Sequence, residues 1–462
     1  MFAVSEIAPS PLRRGALALA ATTIVVGVIL ITDAEPASVM LGIALTSSLS
    51  RSQLEKDRRG RLEALWMLPV LGVVSVGLGV LLRTDFWIGA IVYTAALTAV
   101  TALRGAGAWG RRIAGIAATP LLATLFLPAG AGADHGPVLA LLEPLIIALF
   151  SWAVVTVVHL AARRPGVLPA SSAQRQHTLP PPSSRPRSRP SATMRMTAQV
   201  AVATATSFVI GGIGFGSHWA WVVLSTVIVA FLPRGRADAI SKGVHRLLGA
   251  AAGSLVALVP LHATADVAPA ITACALAAVG VGILVREFGY ALWAFTVTIA
   301  LTLLEALQGQ AAPLIGVRLI EIAVGVGVGV LAVCLVWPIR TADVVRAQLA
   351  VLLAAVSDRL AAETGEERSR TDRRIATGLS DLDRASAPLR EAARACRALR
   401  LRPPDAVAWA RDALVIASAA QTAGESGSSG LRRAVGEARR TLTTPSELGD
   451  ALRRAAQAAG PA

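Results

Sequence analysis

LIEIAVGVGVGVLAVCLVW, residues 319–337, decides the fold of this chain. The stretch is apolar throughout except for one charged side chain, Glu321, near its start. A helix over these residues is about 28 Å long, close to the roughly 30 Å hydrocarbon core of a bilayer. The sequence therefore predicts a membrane-spanning helix here.

Similar apolar stretches recur along the chain. The clearest others lie at 15–32, 64–82, 86–103, 137–162 and 268–285. The composition agrees, because 54% of the residues are hydrophobic and only 16% are charged, and the mean hydropathy is +0.61. A soluble domain carries about 25% charged residues. We expect an all-α integral membrane protein.

The charges of the loops predict how the spans cross the bilayer. Arginine-rich loops at 51–61, 104–112 and 163–195 alternate with neutral or acidic loops such as 33–35 and 134–135. Cytoplasmic loops carry the excess of Lys and Arg, so the alternation predicts about six spans in each of two blocks, with both termini cytoplasmic. An even number of spans gives the two blocks the same orientation, as in parallel repeats related by an axis along the membrane normal. The abundance of Ala, Arg and Gly is typical of a GC-rich bacterial genome, so we expect the bacterial inner membrane.

Four segments follow from this pattern. Residues 1–162 form the first transmembrane block and residues 197–340 the second. The segment 163–196 is rich in Pro, Ser and Arg, which predicts a disordered cytoplasmic linker. In residues 341–462 the apolar positions recur with helical spacing, and Pro403, Pro404 and the stretch 425–430 interrupt them. This tail is predicted to be a cytoplasmic helical bundle of about four or five helices.

Several functional classes are excluded or disfavoured. The net charge of +15 suggests nucleic acid only at first sight, because most of it lies in short loops, where it orients a membrane protein. Cys274, Cys334 and Cys396 have no metal-ligand spacing. We find no phosphate-binding loop, no clustered metal ligands and no nucleophile motif, so we expect neither an enzyme nor a cofactor or metal. The expected partners are membrane lipids and a small-molecule substrate, and the sequence is compatible with a homo-oligomer.

Two apolar segments are too short to span a bilayer as regular helices. They are the second, 36–48, and the eighth, 219–232, and they hold the same place in each block. Short or interrupted segments at corresponding positions of a duplicated transporter point to a translocation site. Beside the eighth lie His218, Trp219 and Trp221, which form either part of such a site or an aromatic belt at the membrane interface.

Charged residues within spans give a second indication. Glu143 and Glu321 lie at similar depths in the sixth and twelfth segments, and either is a candidate proton carrier, because ionisable groups in hydrocarbon usually serve a pathway or pair with one another. Arg318 lies one helical turn before Glu321. The two residues can form an ion pair. Such a pair either takes part in coupling transport to protons or only reduces the cost of two charges in the membrane.

Short motifs carry a resemblance to a known family. His218-Trp219-Ala220-Trp221 precedes an apolar segment, a basic loop with Gly235, and then Arg246-x-x-Gly249-x-x-x-Gly253. With the later Arg318-x-x-Glu321-x-x-x-Gly325, this pattern resembles the fusaric acid resistance and aromatic acid exporter family over residues 197–338. The resemblance implies an efflux carrier for small organic, often aromatic, acids and a cytoplasmic helical domain after the membrane block.

The residues of these motifs also have a direct physical reading. Gly249 with Gly253, and Gly325 with Gly329, are spaced four apart, which lets helices approach closely. Arg246 is expected at the cytoplasmic boundary of its helix. There it either draws a carboxylate toward the pore or binds lipid phosphate.

Two rival interpretations remain. Asp57-Arg58-Arg59-Gly60-Arg61 resembles a loop motif of major facilitator carriers, whose usual leading glycine is replaced here by Gln53. The second rival is a membrane anchor or scaffold that serves the helical tail. An anchor has no need of so many spans or of charges within them, so a transporter of small organic anions is preferred.

Overall fold

The computed structural model describes residues 11–32, 36–51, 58–126, 137–162, 191–231, 233–263, 268–286, 288–307, 315–398, 400, 404–422 and 428–459. These residues form α-helices and short 3-10 helices, with no strand among them. They divide into two compact units. Unit 1 holds the described residues up to 336 except 233–241, and unit 2 holds 233–241 and the described residues from Trp337 onward.

The helices that begin before residue 336 carry the apolar stretches. They are α1 (Pro11–Ile31), α2 (Pro36–Arg51), α3 (Arg58–Thr84), α4 (Phe86–Leu103), α5 (Gly107–Ala123), α6 (Pro137–Ala162), α7 (Ala192–Gly214), α8 (Trp219–Ala230), α9 (Arg236–Ala263), α10 (Ala268–Val285), α11 (Tyr290–Leu307) and α12 (Ile315–Leu335).

Length and composition identify this region as a membrane domain. Seven helices among the described residues are long and apolar enough to cross a bilayer, and α2, α8, α10 and α11 contribute shorter apolar segments. Large apolar side chains face outward, with Ile213 76% exposed and Ile91 69% exposed. Such surface is unfavourable in water but matches lipid. The expectation of a multi-pass, all-α membrane protein is confirmed, while the division into two repeats stays a prediction.

The helices of unit 1 pack in two groups. In the first, α2 lies against α1, α5 and α6, and α3 lies against α4 and α6. In the second, α8 lies between α7 and α12. Contacts of α4 with α7 and of α1 with α10 join the groups.

The boundary of the predicted linker is wrong by five residues, because α7 begins at Ala192 and not at 197. Ser191 caps this helix, since its side-chain oxygen accepts a hydrogen bond from the Met194 amide at 3.2 Å. Such a cap satisfies one of the backbone donors that a helix start leaves unpaired. Residues 163–190 lie outside the described part of the chain.

The two short helices also have different bounds from those expected. α2 extends to Arg51 and has 16 residues, whereas α8 has only 12. α8 ends early because Phe231 is already extended, with φ −78° and ψ 108°.

Unit 2 is a bundle built around its own apolar core. Its helices are α13 (Thr341–Ala361), α14 (Gly365–Ala398), α15 (Asp405–Thr422), α16 (Ser428–Arg440) and α17 (Pro445–Ala458). Leu349, Leu352 and Ile375, which the periodicity placed on buried faces, are fully buried. The bundle is helical, as predicted, while its cytoplasmic location stays a prediction.

The segment 233–241 is attached to the start of α13 within this unit. The Arg236 amide donates to the Ile339 carbonyl at 3.2 Å, and the Ala237 amide donates to Thr341 Oγ1 at 3.1 Å. Gly235 allows this approach because its φ is +119°, and a Cβ atom there would lie 2.6 Å from Thr341 Oγ1.

Candidate functional site

Glycines bring four helices of the second block close together. A Cβ atom added at Gly253 on α9 would lie 3.0 Å from Thr298 Cβ on α11, and one at Gly249 would lie 2.9 Å from Ala294 Cβ. On α12, a Cβ atom at Gly329 would lie 3.0 Å from the Thr226 carbonyl oxygen of α8. Small residues allow such close backbone approach in a membrane, so α8, α9, α11 and α12 can direct long side chains into a shared interior.

Two arginines lie near one tryptophan in this interior. Trp221 on α8 is only 3% exposed. The guanidinium carbon of Arg318 lies 4.8 Å from the centroid of its indole, and that of Arg246 lies 5.7 Å from it. Both distances are within the range of cation–π attraction. Three residues that the sequence suggested for the site are thus brought together.

Two threonines on adjacent turns of α11 hold the guanidinium groups. Arg318 Nη1 donates to Thr302 Oγ1 at 2.6 Å, and Arg246 Nη1 lies 3.4 Å from Thr298 Oγ1. Each hydroxyl donates in turn to a backbone carbonyl of its own helix, at 2.8 Å in both cases. The acceptor atoms lie one turn apart, about 6 Å along the helix axis. Neither threonine was among the residues predicted from the sequence.

The surroundings of Arg246 differ from those expected. The sequence placed it at the cytoplasmic boundary, within reach of lipid phosphate, but it lies about 15 Å into α9 from Arg236 and is 0% exposed. Full burial leaves the side chain without access to lipid phosphate, while its position relative to the membrane boundary stays a prediction. Its burial follows from Gly249 and Gly253, which lie one and two turns further on the same helix face and seat that face against α11.

One edge of the Arg246 guanidinium lacks an acceptor in the described part of the chain. Among the residues that the structure describes, neither Nε nor Nη2 has a hydrogen-bond partner. A buried, unsatisfied donor on a charged group is costly. Nε–H and Nη2–H together form the fork that binds a carboxylate through two parallel hydrogen bonds. The arrangement is suited chemically to an oxyanion.

Glu321 adds the negative charge of this centre. It lies on α12 one turn after Arg318 and is 1% exposed. If all three groups are ionised, two guanidinium cations and one carboxylate leave one net positive charge. The predicted ion pair between Arg318 and Glu321 stays a prediction.

Trp219 belongs to a different environment. Its ring lies 5.3 Å from that of Phe86 on α4 and 5.5 Å from that of Phe208 on α7. Gly211 makes room for it, since a Cβ atom there would lie 3.1 Å from Trp219 Cβ. The structure therefore separates Trp219 from Trp221. His218 is partly buried in the 3-10 turn that precedes α8.

Glu143 has a hydroxyl partner in the first block. Ser38 on α2 donates a hydrogen bond to Glu143 Oε1 on α6. Pro144 follows Glu143 within the same helix. The two acidic residues suggested for proton coupling thus lie in different settings, one beside a serine and the other beside an arginine.

The described residues contain no group of three or more His, Cys, Asp or Glu side chains able to hold a metal ion. The donors available for an anion are the Nε–H and Nη2–H of Arg246, since the Thr298 and Thr302 hydroxyls already donate to backbone carbonyls.

Part of the chain is similar to a known protein family. Residues 198–332 match the family described as fusaric acid resistance protein-like. The match begins in α7, ends in α12, and includes Trp221, Arg246, Arg318 and Glu321. The resemblance seen in the motifs is confirmed over these residues. No curated protein and no solved structure matches the chain.

Proposed function

We propose that this membrane protein, whose residues 198–332 belong to the fusaric acid resistance protein-like family, exports small organic acids from the cytoplasm. In the predicted topology it lies in the bacterial inner membrane with both termini in the cytoplasm. Aromatic carboxylates are the substrate class that the family description suggests.

The observation that carries the proposal is the buried fork of Arg246. Nε and Nη2 have no acceptor among the described residues, although the side chain is fully buried. Ionisable groups within a membrane are costly and commonly mark a substrate pathway. A carboxylate that accepts from both nitrogens satisfies these donors and removes most of that cost.

Charge balance supports a monoanion. Arg246, Arg318 and Glu321 carry one net positive charge when all are ionised, and a monocarboxylate cancels it. Trp221 contributes an indole near both guanidinium groups. With the monocarboxylate bound, the site has no net charge. Burying such a site in a low-dielectric region avoids the desolvation penalty of a net charge.

Glu143 is our candidate for proton coupling. A serine hydroxyl can donate to a carboxylate or accept from a carboxylic acid, so Ser38 gives Glu143 a partner in both protonation states. Glu321 follows Arg318 by one turn of α12 and is buried, so its carboxylate can balance an arginine charge in this interior. We therefore assign the transported proton to Glu143 and a charge-balancing role to Glu321.

The experiment is transport of benzoate by proteoliposomes that contain the full chain. Arg246→Lys keeps the positive charge but removes the fork, so benzoate efflux should fall at least about tenfold. Arg346→Lys on α13 is the matched control, because Arg346 pairs with Asp343 at 2.9 Å in the bundle. The Arg346→Lys protein should transport benzoate at the rate of the unchanged protein.

Three outcomes contradict the proposal. Absence of transport for every carboxylate in a panel would remove the transporter assignment and favour a membrane anchor. Unchanged efflux in Arg246→Lys would remove Arg246 from the binding centre. Glu143→Gln that still responds fully to a pH gradient would remove the coupling role.

A further inference from the structure

One face of α11 continues beyond the two threonines. Tyr290, Ala294, Thr298 and Thr302 follow one another at intervals of four residues, so they share one helix face. Thr298 and Thr302 hold the two arginines, and Ala294 contacts Gly249 of α9. Tyr290 therefore lies on the face that is directed at α9 and Arg246.

The hydroxyl of Tyr290 is buried. Its oxygen has no hydrogen-bond partner among the described residues. It lies within electrostatic range of the guanidinium groups of Arg246 and Arg286. Buried tyrosine hydroxyls usually find a partner. The unpaired hydroxyl of Tyr290 and the unpaired fork of Arg246 thus occur in the same part of the molecule.

Arg286 continues the series toward the surface. It lies just before α11 and is exposed. Its guanidinium carbon is 4.9 Å from the centroid of the Trp293 indole, and the Trp293 and Tyr290 rings are 5.5 Å apart. Arg286, Trp293 and Tyr290 therefore form a succession that leads from an exposed cation to the helix face directed at Arg246.

We propose that the Tyr290 hydroxyl is a third donor to the carboxylate bound by Arg246, and that Arg286 with Trp293 is an outer subsite where the anion first binds. This inference rests on the proposed transport of organic anions and names further residues for it. The ligand class is a monocarboxylate. Its two oxygens accept from the fork of Arg246, and one of them also accepts from the phenol.

The succession also explains how an anion can leave water in steps. At Arg286 the charge is partly solvated and attracted over about 8 Å at physiological ionic strength. At Tyr290 and Arg246 the lost water is replaced by three donors. Each step exchanges hydration for fixed hydrogen bonds, so no step leaves the carboxylate without partners.

The chain is favourable for a direct test, because it contains only two tyrosines, Tyr93 and Tyr290. Incorporation of 3-fluorotyrosine gives two fluorine resonances, which Tyr93→Phe and Tyr290→Phe assign. Addition of benzoate to the full chain in detergent should shift the Tyr290 resonance and leave that of Tyr93 in place. The neutral analogue benzamide should shift neither.

Affinity provides the second measurement. Tyr290→Phe should raise the dissociation constant for benzoate about tenfold, since it removes one hydrogen bond to a charged ligand. Tyr93→Phe is the matched control, because the Tyr93 hydroxyl donates to the Leu121 carbonyl at 2.8 Å. It should lower thermal stability without changing the affinity.

The dependence of transport on salt concentration tests the outer subsite. Arg286→Gln should raise the KM for benzoate several-fold at low salt, and the difference should fade at high salt, because the attraction of an exposed charge is screened. An equal difference at both salt concentrations, or none at either, would overturn the assignment of Arg286.

The outcomes separate this inference from the proposed function. If benzoate binds with dependence on Arg246 but Tyr290→Phe binds as tightly and the Tyr290 resonance stays in place, the inference fails and the proposed function stands. If no carboxylate binds the unchanged protein, both fail. A shift caused by inorganic phosphate but not by benzoate would overturn the carboxylate assignment.

Discussion

Two arginines, Arg246 in the membrane domain and Arg359 in the helical bundle, differ in how many hydrogen-bond acceptors surround them. Arg359 Nε donates to Asp372 Oδ1 at 2.8 Å and its Nη2 lies 3.3 Å from the Gln421 carbonyl oxygen, although its side chain retains 11% exposure. Arg246 has no exposure at all, and within the described part of the chain its guanidinium has one acceptor, the Thr298 hydroxyl at 3.4 Å. The protein supplies two acceptors to Arg359, whereas the described residues supply none to the Nε and Nη2 of Arg246. This difference between the two arginines points to a ligand at Arg246.

The largest expected effect concerns the contact between α8, which carries Trp221, and α12, which carries Arg318. A Cβ atom at Gly325 would meet the Val222 carbonyl oxygen of α8 inside contact distance and lie 2.9 Å from Ser225 Cβ. Gly325→Val should destabilise the protein by about 3 kcal/mol and reduce the folded yield. Size-exclusion chromatography in detergent and thermal unfolding measure this loss.

The control for this variant lies two residues further along α12. A Cβ atom at Gly327 meets no atom within 4 Å, so Gly327→Val should change stability by less than about 0.5 kcal/mol. Equal destabilisation by the two variants would show that the α8–α12 contact is not the tight one.

The second effect separates binding from stability at Arg246. Arg246→Met should weaken benzoate binding about 100-fold, because it removes a buried charged partner of the ligand. Its melting temperature without ligand should be unchanged or higher, since an apolar side chain replaces a poorly satisfied buried charge. Unfolding scans with and without benzoate give both values. A large fall in melting temperature without ligand would mean that Arg246 serves the fold, as Arg359 does.

The third effect is a loss of stability without a loss of binding, the reverse of the effect expected at Arg246. Arg359→Met should destabilise the bundle by about 1–2 kcal/mol, since it leaves Asp372 without this cation and the Gln421 carbonyl without this donor. Benzoate affinity in the full chain should stay at the level of the unchanged protein. An affinity loss comparable to that of Arg246→Met would remove the distinction between the two arginines.

The smallest effect concerns an exposed charge in the bundle. Glu367 Oε2 accepts from the amides of Thr364 and Glu363, at 3.3 and 3.2 Å, and the Glu367 amide donates to Thr364 Oγ1 at 3.2 Å. These bonds form a capping box at the start of α14. Hydrogen bonds from the backbone amides of Thr364 and Glu363 hold the pKa of Glu367 below its ordinary value.

A lowered folded-state pKa sets the direction of the pH dependence. The carboxylate contributes fully above the ordinary pKa of glutamate, and the contribution is lost as pH falls through the lowered pKa. Glu367→Gln should therefore lower the melting temperature slightly at pH 7, and the two proteins should converge in acid. A difference of the same size at pH 7 and pH 3 would contradict the charge-based account.

The sequence by itself determined the class of this protein and much of its layout. Apolar length set the membrane helices, because a helix must satisfy its own backbone in lipid. Helical periodicity gave the buried faces of the bundle. The prolines at 403 and 404 predicted an interruption, and α14 ends at Ala398 and α15 begins at Asp405. The motifs around Arg246 and Arg318 indicated a resemblance to a known family, and the match over residues 198–332 confirms that resemblance for this part of the chain.

Tertiary structure alone decided which of the suggested residues meet. Trp219 and Trp221 are two positions apart, about 200° around a helix, so one packs against Phe86 and the other lies beside the arginines. Hydropathy places a residue along a helix axis but does not identify the neighbouring helix that its side chain meets. The burial of Arg246 and its support by Thr298 depend on glycine contacts between helices distant in sequence, so only the packed structure decides them.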